Sequence, residues 1–100
     1  MDTIRLEYTD DDTYIRIINP ESDHHNIGYI SKSGQISIKS QLYEMISSEI
    51  YSKFEWEKGA GMHGGSGYHS HTTNCDDLAD AIQFLREVFN SNNIRGVFNL

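Results

Sequence analysis

Four residues able to ligate a metal or move a proton fall within the thirteen positions from 63 to 75: His63, His69, His71 and Cys75. Imidazole and thiolate are good donors for zinc, copper or nickel. His69 and His71 are two positions apart, so an extended backbone would project both to one side. These four define a candidate site for zinc or another transition metal. Against it, their spacing matches no established zinc pattern. Five glycines between residues 59 and 67 also make ordering of the ligands costly in entropy. The favoured reading carries no cofactor.

The same segment, KGAGMHGGSGYHSHTTNC, holds two other partial patterns. Gly59, Gly61 and Gly64 spell G-x-G-x-x-G, but a helix is expected before them and a long non-helical stretch after. Backbone amides at a helix start would therefore not point at a phosphate. His71-Thr72-Thr73 resembles half of the paired H-x-T signature of the two-histidine phosphoesterases, and no second half is present. Cys75 at a helix start, with His69 or His71 as base, is chemically conceivable as a nucleophile. No pattern is complete, and the protein is read as a non-enzyme.

A non-catalytic reading fits the segment better. Glycines let a loop of about 58–74 adapt its shape, and Tyr68, His69 and His71 offer aromatic and hydrogen-bonding contacts. The chain carries fifteen acidic and eight basic residues, a formal charge of −7. That sign disfavours direct binding to nucleic acid and favours attraction to a basic protein. Two aspartate groups stand out: Asp10, Asp11 and Asp12, and then Asp76, Asp77 and Asp80. The candidate partner-binding residues are these six with Tyr68, His69 and His71.

Two periodicities define the elements meant to position them. Thr3–Thr9 and Thr13–Asn19 alternate as strands joined at the Asp10–Asp12 turn. Ile27–Lys39 reads as a second hairpin with a two-residue Ser33-Gly34 turn. That register would place Ile27, Tyr29, Ile36 and Ile38 on one face; a three-residue loop with a bulge would change it. Leu42, Ile46, Ile50 and Phe54 predict a helix from Gln41 to about Glu57, with Trp56 near its end. Leu78, Ala81, Ile82, Leu85, Val88 and Phe89 predict a helix over 74–90, capped by Asn74 and stopped by 90–93 and Gly96. Residues 94–100 read as a closing strand or a tail on a partner.

The expected fold is therefore one α+β domain over residues 1–100. It would have an antiparallel sheet of four to five strands and two helices on one face. The single cysteine and the lack of a signal-like or spanning segment fit a cytoplasmic protein. The expected function is inhibition or neutralisation, of the immunity or anti-defence type, of a basic nuclease or other nucleic-acid-binding protein. Alternatives are a metal-binding or metal-regulated protein and an oligomeric accessory subunit.

Overall fold

The computed structural model describes residues 2–21, 26–46, 55–58 and 69–100. The chain is α+β, as the two periodicities predict, with the described strands forming one sheet. The first four are β1 (Asp2–Tyr8), β2 (Tyr14–Ile18), β3 (Asn26–Ser31) and β4 (Gln35–Lys39). Alternation decides their faces: Ile4, Leu6, Ile15, Ile17, Ile30, Ile36 and Ile38 are buried in one cluster. Thr3, Arg5, Glu7 and Arg16 lie on the opposite face, where Glu7 bridges Arg5 at 3.4 Å and Arg16 at 3.2 Å.

The second hairpin is corrected by one residue. Ile30 pairs with Ile36 and Gly28 with Ile38, which leaves a three-residue Lys32-Ser33-Gly34 loop. Gly34 has φ +96°, and its amide donates to the Ser31 carbonyl at 3.1 Å. A glycine in that conformation closes a three-residue hairpin loop and bulges the returning strand. Tyr29 consequently faces outward rather than joining the isoleucines. Ile27 still reaches the core because the β2–β3 register slips between Ile17 and Ile18.

Downstream, the structure departs from the expected pair of long helices. α1 (Ser40–Tyr43) lasts four residues, and Leu42 and Ile46 beyond it enter the core. The expected helix to Glu57 fails at its far end, where Glu55–Lys58 form strand β5 and Trp56 pairs with His71. Residues 44–46 of that expected helix form a turn, and residues 47–54 fall outside the described residues. His69–Asn74, expected as loop, form strand β6 between β4 and β5. Six polar residues without an apolar alternation do not announce a strand; pairing on both sides supplies the order that composition does not.

α2 (Leu78–Ser91) carries the predicted stripe, burying Ala81, Leu85, Val88 and Phe89. Each of the large side chains contributes about 2 kcal/mol by leaving water. The helix starts at Asp77, not Asn74. Asp77 Oδ1 accepts from the Asp80 amide at 2.8 Å, satisfying a donor that the first turn leaves open. At the other end the Asn92 side chain donates to the Val88 carbonyl at 2.7 Å, and Asn93 turns the chain with φ 55°.

The described strands order as β5-β6-β4-β3-β2-β1-β7, so seven strands replace the four or five expected. The last, β7 (Ile94–Asn99), lies parallel to β1, and the sheet is mixed rather than antiparallel. The direction follows from α2. Fourteen helical residues span about 21 Å and return the chain to the end of the sheet where β6 began. The next strand must then run in the same sense as β6, and therefore as β1. Gly96, expected as part of the helix stop, is inside this strand. Among the described residues no helix is long and apolar enough to cross a membrane.

Candidate functional site: the acidic end of the sheet

The β1–β2 turn is built by its own side chains. The Thr9 hydroxyl donates to Asp11 Oδ1 at 2.8 Å, and the Thr13 amide donates to the same oxygen at 3.1 Å. Asp12 sits at φ 55°, a conformation that aspartate tolerates in turns. The carboxyl of Asp11 is held well below its ordinary value, at about 2, by the Thr13 side chain first and then by the Thr9 hydroxyl and the Thr13 amide. Asp10, Asp11 and Asp12 are all exposed. The turn is therefore fixed by its own side chains, with Asp11 ionised at neutral pH.

The second aspartate group is fixed through the β3–β4 loop. The Cys75 amide donates to the Gly34 carbonyl at 2.9 Å, pinning the start of the β6–α2 connection against that loop. Asp76, Asp77 and Asp80 follow directly, and all are exposed. Asp77 is occupied as the helix cap, while Asp80 adds negative charge in the first turn, where the helix dipole favours it.

Register brings the two groups together. Tyr8 pairs with Ile15, Tyr14 with Ser31, and Gln35 with Asn74. The 10–12 turn, the 32–34 loop and the 75–77 connection thus lie at one end of the sheet. Strands are spaced about 4.8 Å apart, so the two aspartate groups are roughly 15–20 Å from each other across that end. Among the described residues, Lys32 is the cation in the loop between these six carboxylates. Such a rim has no chemistry of its own; it can meet lysine or arginine side chains of a partner.

The histidine segment is placed differently. His71 is 6% exposed on the core face of β6, with its ring stacked on Tyr43 at a centroid distance of 3.5 Å and 7° between planes. It is not available as a surface contact, which corrects that part of the expected binding set. His69 lies in β6 opposite Lys58. Tyr68 and His63 fall outside the described residues. His71 and Cys75 are separated by four residues of extended chain, about 13 Å, too far for both to bind one ion. Among the described residues no three His, Cys, Asp or Glu side chains are grouped to hold a metal.

Two exposed aromatics lie beside the acidic tip, outside the residues that the sequence nominates for binding. Tyr14 and Tyr29 are 37% and 39% exposed on the outer face, with ring centroids 5.6 Å apart. The signal available was their place in the polar half of each strand's alternation, obscured for Tyr29 by the one-residue error in register. Comparison of the chain with protein-family models, curated proteins and solved structures gave no match.

Proposed function

We propose that this protein is a small acidic binding protein that neutralises a basic, nucleic-acid-handling protein, in the manner of immunity or anti-defence proteins. The observation supporting it is the convergence of Asp10, Asp11 and Asp12 with Asp76, Asp77 and Asp80 at one end of the sheet. Two sequence-distant carboxylate groups on rigid turns form a wide anionic surface, and such a surface speeds encounter with a cationic partner. Tyr14 and Tyr29 adjoin the tip and have the residue type that most often anchors an interface. Inhibition would follow from covering the cationic surface that the partner uses for phosphate.

The test is recovery of the partner from the protein's own cells, followed by charge reversal where reversal spares the fold. Asp11 and Asp77 hold the turn and the helix start, so Asp10→Lys, Asp76→Lys and Asp80→Lys are the informative changes. The reading requires a complex with a basic protein whose affinity falls at least tenfold in the triple variant and declines with added salt. An unchanged, salt-insensitive complex would overturn it.

A further inference from the structure

β7 closes the sheet on one side. It pairs with β1 through six consecutive residues, from Asp2↔Ile94 to Glu7↔Asn99, and no other described strand pairs with it. Alternate residues of a strand in this position turn their backbone N–H and C=O groups away from the sheet. Protein edges of such length are usually blunted by proline, lysine or a bulge. The sequence IRGVFN carries one charge, Arg95, has no proline or lysine, and keeps an unbroken register with β1.

A recess lies beside this edge. Arg86, Phe89 and Asn90 from α2 and Gly96 and Phe98 from β7 line a cavity of about 120 Å³. Gly96 lets the two rings pack down on the strand at the floor of the recess: a Cβ there would collide with the Phe98 ring and come within 2.9 Å of the Phe89 ring. The Arg86 guanidinium stacks over Phe98, 4.1 Å from the ring centroid, and is thereby held at the mouth. Arg95 is exposed on the strand itself. Glu87, the neighbouring acidic group on the helix, is engaged by the Gln83 amide at 3.3 Å. Arg86 and Arg95 thus place two cations at this edge of a chain whose net charge is −7.

We propose that the groove between β7 and α2 is a peptide-docking site: an extended segment of another protein adds as a strand to β7 and seats an acidic side chain on Arg86. Main-chain pairing would supply affinity without regard to sequence, and the recess would select one side chain. A carboxylate is chosen because a planar guanidinium accepts it with two parallel hydrogen bonds. The methylene stem of a glutamate then lies against Phe98, and Asn90 offers a further amide. These residues are separate from the acidic end, so the two surfaces can be tested independently.

The test titrates the intact protein with two capped hexapeptides, one alternating valine with glutamate and one alternating valine with lysine, and follows backbone amides by NMR. The expected result is saturable binding of the glutamate peptide tighter than about 1 mM, with the shifts concentrated in residues 94–99 and at Arg86 and Asn90. Arg86→Gln, at an exposed position, should weaken that binding by about tenfold while its spectrum otherwise matches the wild type. Equal binding of the lysine peptide, shifts confined to other residues, or indifference to Arg86→Gln would each overturn the proposal. So would protection of the β7 amides that grows with protein concentration alone, since the occupant would then be a second copy of this chain.

Discussion

The Cys75 amide donates to the Gly34 carbonyl at 2.9 Å, and through this bond a hairpin loop holds the start of the second helix in place. Gly34 is suited to the position twice over. Its φ is +96°, and a Cβ would lie 2.6 Å from the Asp77 carbonyl oxygen and 2.9 Å from that of Cys75. Both neighbours are backbone and neither can rotate away. Gly34→Ala is therefore expected to destabilise the fold by about 2–3 kcal/mol, read as a lower urea midpoint. A loss under about 0.5 kcal/mol would show that the junction yields at little cost.

Asp77 is the helix cap, although Asn74 has the better-placed sequence signal. Asp77→Ala should cost about 1 kcal/mol, and Asp77→Ser much less, because a hydroxyl can accept the same Asp80 amide. Asn74→Ala should be closer to neutral for helix stability. Chemical denaturation of the three variants separates these roles. Equal losses at positions 74 and 77 would contradict the observed cap.

Asp11 titrates at about 2, below the ordinary value of 3.8. A carboxyl with a depressed folded-state value contributes stability above its unfolded value, and that contribution is lost as pH falls through the folded one. The hairpin tip should thus loosen between about pH 4 and pH 2, with the Thr13 amide resonance reporting the change. A midpoint near 4 for the Asp11 carboxyl carbon would show that the hydrogen bonds from Thr13 and Thr9 do not hold it. Asp11→Ala should remove this pH dependence altogether.

His71 is packed as a flat aromatic body against Tyr43. His71→Ala should lose about 1–3 kcal/mol through the gap it leaves, whereas His71→Phe retains the ring and most of the stack. Neither change should directly alter association with the basic partner proposed above. A partner complex that weakens in His71→Phe while thermal stability is unchanged would return this residue to the binding surface.

Much of the architecture was legible locally. The alternation of Ile4, Leu6, Ile15 and Ile17 identified strands, and the stripe from Leu78 to Phe89 identified a helix, because a residue's neighbours on a face follow from the backbone period alone. Thr9, Asp11 and Thr13 likewise carry their turn within five residues. The charge of −7 and the two aspartate groups are properties of composition. Tertiary structure decided everything that depends on which strand lies beside which. The polar segment His69–Asn74 is a strand because β4 and β5 pair with it on both sides. β7 runs parallel to β1 because α2 carries the chain back across the sheet, and strand direction leaves no mark on hydrophobic periodicity. Tyr29 turned outward on a one-residue difference in loop length, since a strand's period of two makes any such shift exchange its faces. The meeting of Asp10–Asp12 with Asp76, Asp77 and Asp80 depends on that same long-range pairing, which no local pattern encodes.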